Sequence, residues 1–177
     1  MISEKGFIVE NVTEMPFLGF GTYRVQEEKI ILDALDCGYR HIDTARRYEN
    51  EKMIGNALQQ CGLPRRELFL TSKVWKTDLG YDKTMASFEA SLKDLQVQYL
   101  DLFLIHWPLP FPGAGWKPLV TESWRALERI YDEGAVRAIG VCNFLPQHPL
   151  TVLQHANTAP IIVQFAFPPG SPPHETL

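Results

Sequence analysis

Asp43, Tyr48, Lys73 and His106 offer a carboxylate, a phenol, an amine and an imidazole, and such groups brought together can move a proton to or from a bound molecule. Asp43, Lys73 and His106 stand at the carboxyl ends of three short apolar segments, and Tyr48 lies in the loop after the first. Asn143 and Gln164 close two further apolar segments with amides that both donate and accept. Taken singly, each has an ordinary explanation. An Asp at a strand end commonly caps a turn, a Tyr packs half-buried, and a His inside Leu104-Ile-His-Trp-Pro108 can be a satisfied core residue. Lys73 is harder to dismiss, because lysine is seldom buried without a partner. Joint occurrence reverses the balance. In a parallel β/α sheet the carboxyl ends of the strands share one face, where such folds place their chemistry.

The elements that must position these groups alternate regularly. Phe17–Gly21, His41–Asp43, Leu68–Lys73, Tyr99–His106, Val136–Val141 and Ile161–Phe165 read as strands. Tyr99–His106 is almost wholly apolar, as expected of a strand buried on both faces. Helical stripes run through Glu27–Cys37 (Ile30, Ile31, Ala34, Leu35), Glu51–Cys61 (Ile54, Ala57, Leu58), Asp82–Leu95 (Met85, Phe88, Leu92, Leu95) and Thr121–Glu133 (Trp124, Leu127, Ile130). Gly38, Gly62 and Gly134 are their stops. A fifth helix is expected after position 146, where Pro146 and Pro149 confine its start. The Pro/Gly stretch Leu109–Pro118 follows the strand of His106 and is expected to lie over the active face.

Six strands joined by five helices predict an α/β fold with parallel pairing, in one domain spanning residues 1–177. A closed β/α barrel needs eight strands. Ser171-Pro172 with Glu175 has the form of a helix start, so the last two βα units are expected to be lacking. The first and sixth strands would then have open edges, and the apolar Ile161–Phe165 edge would favour self-association.

Composition excludes several classes. With 45% hydrophobic and 21% charged residues the chain can build a core. A net charge of −4 without a basic tract argues against a nucleic-acid partner. No apolar run has the length of a membrane span, and Met1–Gly6 lacks the apolar centre of a signal peptide. Cys37, Cys61 and Cys142 form no CxxC pair and no closed disulfide set, which points to a reducing, cytoplasmic compartment. His and Cys lack ligand spacing, so no metal site is expected.

Gly19-Phe-Gly-Thr22, Gly38-Tyr-Arg-His-Ile-Asp-Thr-Ala45 with Tyr48 and Asn50-Glu51, Thr71-Ser-Lys73, Asp101-Leu-Phe-Leu-Ile-His-Trp-Pro108 and Gly140-Val-Cys-Asn-Phe144 together resemble the aldo-keto reductase family. The resemblance runs from Phe17 to Gln164 and implies a parallel, TIM-type (β/α)8 barrel, incomplete here at about six βα units. It implies reduction of aldehydes and ketones to alcohols by hydride from NADPH, with Asp43, Tyr48, Lys73 and His106 as catalytic tetrad. On that basis Tyr48 is the general acid, and Lys73, held by Asp43, is expected to lower the pKa of its phenol from about 10. His106 would orient the carbonyl oxygen.

The resemblance also implies that Asn143 and Gln164 hold the nicotinamide carboxamide, with Gly21, Thr22, Asp43 and Cys142 nearby. Cys142 stands where the family usually has Ser, and the residues after Gln164 depart from its pattern. Tyr23, Trp75, Trp107 and Phe111 would line an apolar pocket for a small carbonyl substrate. Arg47 has two readings, a solvated loop charge or a preference for acidic substrates; Trp116 and Trp124 read as packing residues. The alternatives to a reductase are a non-catalytic binding or regulatory member of the same family and an inactive truncated product.

Overall fold

The computed structural model describes residues 6–9, 13–108, 115–144 and 156–166. A hairpin, β1 (Gly6–Val9) and β2 (Thr13–Pro16), precedes the main sheet. The sheet holds six parallel strands in chain order: β3 (Gly19–Gly21), β4 (His41–Asp43), β5 (Phe69–Val74), β6 (Leu102–Ile105), β7 (Ile139–Cys142) and β8 (Ile162–Gln164). It is a curled half-barrel of the (β/α)8 type, incomplete. Four helices join the strands: α1 (Glu28–Asp36), α2 (Glu51–Gln60), α3 (Tyr81–Leu95) and α4 (Trp116–Asp132). The expected fifth helix and the helix start at Ser171 lie outside the described residues.

Period-two alternation assigns the two faces of the sheet. Leu70, Val74, Phe103, Ile105, Ile139 and Val141 turn toward the helices and join Ile31, Ile54, Phe88, Trp124 and Leu127 in one core. Phe69, Leu102, Leu104, Ala138 and Cys142 face the interior of the curl, where Val9 of the hairpin joins them. Lys73 is two and four residues from Thr71 and Phe69, so the same alternation puts it on that inner face. A hydrocarbon wall thus backs the ammonium.

Most expected elements are present with ends shifted by a few residues. Two differ. The hairpin was not legible, because Phe7 and Ile8 are exposed and its four-residue strands show no buried period. Helix α4 starts at Trp116, five residues before the expected Thr121. Pro118 falls in its first turn, where the missing N–H would have no intrahelical partner, so it does not delay the start. Residues 109–114 of the stretch expected to lie over the active face are outside the described residues. Gly38 takes φ 98°, a left-handed conformation that stops α1 and turns the chain into β4. Among the described residues β3 and β8 each pair on one side only, and Val163 on β8 is exposed, as the strand count led one to expect.

Candidate active site

Register brings the four groups together. Gly21 pairs with Asp43, Asp43 with Thr71, and Lys73 with Leu104, so β3 to β6 end at one level beside His106. Tyr48 ends a short 3₁₀ turn, Arg46–Tyr48, directly above. Lys73 is buried at 1% exposure, and its Nζ donates to Asp43 Oδ1 at 2.5 Å and to the Thr44 carbonyl at 2.9 Å. The same Nζ lies 5.6 Å from the Tyr48 ring centroid. The Tyr48 ring meets the His106 ring edge-on at 5.7 Å, and Trp75 meets His106 at 5.1 Å. Tyr23 packs on Tyr48 at 5.1 Å. One aromatic cup therefore has an ion pair at its floor.

The electrostatics depart from expectation at Tyr48. Its phenol is pushed up to about 12 by burial first and by the Asp43 carboxylate second. The expected lowering by Lys73 is not seen, since burial and the Asp43 carboxylate both favour the protonated phenol. Tyr48 is thus a firmly protonated phenol. Burial, with Lys73 adding to it, brings His106 down to about 4, so its imidazole is neutral at pH 7. His106 Nδ1 is buried without a hydrogen-bond partner, which leaves Nε2 to meet a ligand. Cys142 is pushed up to about 12 by burial, which makes its thiol inert.

Two amides border the tetrad. Cys142 pairs in register with Gln164, which sets Asn143 and Gln164 side by side. Asn143 takes φ 59°, a conformation Asn tolerates better than most residues, and its Nδ2 donates to the His106 carbonyl at 3.0 Å. Gln164 Nε2 donates to Asp43 Oδ2 at 2.8 Å, and Gln164 Oε1 accepts from Cys142 Sγ at 3.3 Å. A thiol at that distance is a weak hydrogen-bond partner. Thr22 donates its hydroxyl to the Asp43 carbonyl at 3.0 Å. A Cβ on Gly21 would meet nothing within 4 Å, so this strand end is open.

The proposed walls are partly in place. Tyr23 is 62% and Trp107 42% exposed, so both rim the cup, and Trp75 is half-buried beneath Arg47, whose guanidinium lies 5.7 Å over the indole. Phe111 lies outside the described residues. Trp124 is a packing residue, with Nε1 bonded to the Thr158 carbonyl. Among the described residues no cluster of ligating side chains could hold a metal ion, and no helix is long and apolar enough to cross a membrane. Two contributors carried no signal in the sequence reading. The Thr44 carbonyl is a main-chain acceptor, which no residue type advertises. Asn50 reaches back to the Thr22 and Val25 carbonyls at 2.8 and 3.0 Å and fixes the loop bearing Tyr23; its place beside Glu51 in the motif was visible, but its task was not.

A curled parallel sheet with an ion-paired lysine, a half-buried phenol, a neutral imidazole and two amides gathered at the carboxyl ends of its strands defines a site of the β/α-barrel class. Residues 18–175 match the profile described as Aldo/keto reductase family. This chain belongs to the aldo/keto reductase family. It is 43% identical over 165 residues to the glyoxal reductase of Bacillus subtilis, covering 91% of this chain and 57% of that protein. It is 42% identical over 165 residues to a 9,11-endoperoxide prostaglandin H2 reductase of Trypanosoma cruzi, covering 91% and 56%. Among solved structures, an aldo-keto reductase from a Medee basin deep-sea metagenome superposes with TM-score 0.82 at 41% identity, covering 90% of this chain and 57% of that one. An aldo/keto reductase from Brucella melitensis gives 0.83 at 37%, covering 90% and 61%. The chain spans little more than half the length of these curated relatives.

Proposed function

We propose that this chain carries the catalytic half of an NADPH-dependent carbonyl reductase. The observation that carries this reading is the ion pair of Lys73 and Asp43 beneath a Tyr48 phenol that also faces a neutral His106. It also weighs against a purely binding or regulatory role, and against an inactive product, because neither needs a buried charge held under a phenol.

The residues fit the cofactor. Asn143 and Gln164 lie side by side with both donor and acceptor atoms, which suits one planar carboxamide, and the open strand end at Gly21 and Thr22 leaves room beside them. NADPH supplies a hydride to the carbonyl carbon when bound. Tyr48 supplies the matching proton to the carbonyl oxygen, which completes the alcohol. Tyr48 is protonated throughout the neutral range, so the proton is in place to be given. Lys73 stands 5.6 Å from the ring and balances the phenolate left behind, while Asp43 and Thr44 hold the ammonium in place. His106, neutral and with Nδ1 walled off, donates from Nε2 and sets the angle of the oxygen.

Tyr23, Trp75 and Trp107 give the cup aromatic walls, which suit small aldehydes. Two relatives bear the names glyoxal reductase and methylglyoxal reductase, so methylglyoxal is the first substrate to test. The free cysteines support a reducing, cytoplasmic setting, and the open edges of β3 and β8 offer surfaces for self-association. The experiment is NADPH binding to the 177-residue chain, followed by quenching of its tryptophan fluorescence, with Tyr48→Phe alongside. Saturable quenching in both proteins is the expected result. No quenching by folded protein removes the cofactor assignment.

A further inference from the structure

Glu51 is a carboxylate with a side chain 1% exposed, and it lies outside the tetrad. Every oxygen it has is engaged. Oε1 accepts from Ser72 Oγ at 2.5 Å, and Oε2 accepts from Ser91 Oγ at 3.0 Å and from Arg46 Nη1 at 3.0 Å. These partners are not scattered. Arg46 opens the 3₁₀ turn that ends at Tyr48, and Ser72 precedes Lys73 on β5. One carboxylate thus ties the turn of the phenol to the strand of the ammonium.

The surroundings reinforce that tie. Arg46 also pairs with Asp94 at the end of α3. Helices α2 and α3 come close enough for this because Gly55 has no side chain: a Cβ there would collide with the Asp94 carbonyl. Ala45, just before the turn, is fully buried, and Tyr48 N bonds back to its carbonyl at 2.9 Å. Two other buried carboxylates do different work. Asp101 bonds Leu70 N and two arginines, Arg65 and Arg137, at the amino-terminal side of β6, and Glu128 accepts from the amides of Asn157 and Thr158. Asp101 meets β5 only at Leu70, three residues before Lys73, and Glu128 bonds no residue of the Tyr48 turn or of β5.

We infer that Glu51 is a positioning residue for proton transfer: through Arg46 and Ser72 it sets the distance between the Tyr48 phenol and the Lys73 ammonium. A misplacement on the order of 1 Å can cost about 10²-fold in rate, so a tie of this kind acts on turnover more than on binding. The turnover arm of the test rests on the reductase reading above. The second arm does not.

The test compares Glu51→Gln with the parent, and uses Glu128→Gln as a buried carboxylate remote from the turn. In Glu51→Gln, kcat for NADPH-dependent aldehyde reduction is expected to fall about tenfold or more, with KM changed less than about twofold. Glu128→Gln is expected to lower thermal stability while leaving kcat near the parent value. Independently of turnover, the ring-carbon resonance of ¹³C-labelled Tyr48, assigned by its loss in Tyr48→Phe, is expected to move in Glu51→Gln and to stay in Glu128→Gln. Six tyrosines keep that spectrum resolvable. If Glu51→Gln does not fold, Ser72→Ala cuts only the strand arm and is read by the same resonance. A folded Glu51→Gln, or Ser72→Ala in its place, with the Tyr48 resonance unmoved overturns the inference. A parent that does not reduce aldehydes overturns the reductase reading, while the resonance still decides the role of Glu51.

Discussion

Removing the Asp43 carboxylate strands a buried ammonium, and the size of the penalty follows from what remains around Lys73. In the parent, Nζ has the carboxylate at 2.5 Å and the Thr44 carbonyl at 2.9 Å, with 1% of the residue exposed. In Asp43→Ala only the carbonyl is left. Breaking a buried pair from one side costs about 3–5 kcal/mol, which in a domain of this size lowers Tm by roughly 10 °C. Lys73→Met is expected to cost less, because Asp43 is partly exposed and keeps its bond from Gln164. The double variant Asp43→Ala/Lys73→Met carries no stranded charge and is expected to be more stable than Asp43→Ala alone. Urea unfolding followed by tryptophan fluorescence gives the four corners of the cycle, with an expected coupling of about 2 kcal/mol. A cost below about 1 kcal/mol for Asp43→Ala, or strictly additive single effects, would refute the claim that the ammonium depends on this carboxylate.

Acid should weaken the fold through its buried histidines. Burial brings His41 and His106 down to about 4 from 6.5, so the stability they contribute is complete above pH 6.5 and is lost as pH falls toward 4, at most about 3 kcal/mol for His41. In NMR their ring resonances should hold neutral positions down to about pH 5, and midpoints near 6.5 would contradict this. A thiol reagent should modify exposed Cys37 in the folded chain but reach Cys142 only on unfolding. Gly55→Ala should destabilise by about 1–3 kcal/mol, because the clash with the Asp94 carbonyl outweighs the helix propensity gained; an unchanged urea midpoint would show that α2 and α3 can part.

Much of this was legible because each strand end carries a distinct residue type. Asp43, Lys73, His106, Asn143 and Gln164 each follow an apolar run, and strand order equals chain order, so linear spacing maps directly onto one face of the sheet. The helices announced themselves through their stripes. The hairpin did not, since its strands are short and largely exposed. The direction of the shift at Tyr48 was not legible, because it turns first on burial and next on the nearby Asp43 carboxylate, which residue types and spacing do not fix. The bond between Asp43 and Gln164 joins residues 121 positions apart and exists only because the sheet curls.

Aldehyde turnover by the purified chain, measured as NADPH oxidation with methylglyoxal beside Tyr48→Phe in the same preparation, tests the central claim most directly. The expected result is turnover by the parent and a loss of about 10²-fold or more in Tyr48→Phe, with NADPH bound equally by both. Equal rates in the two proteins would remove Tyr48 as the acid. A folded parent that binds NADPH and turns over no aldehyde would contradict the reductase assignment itself.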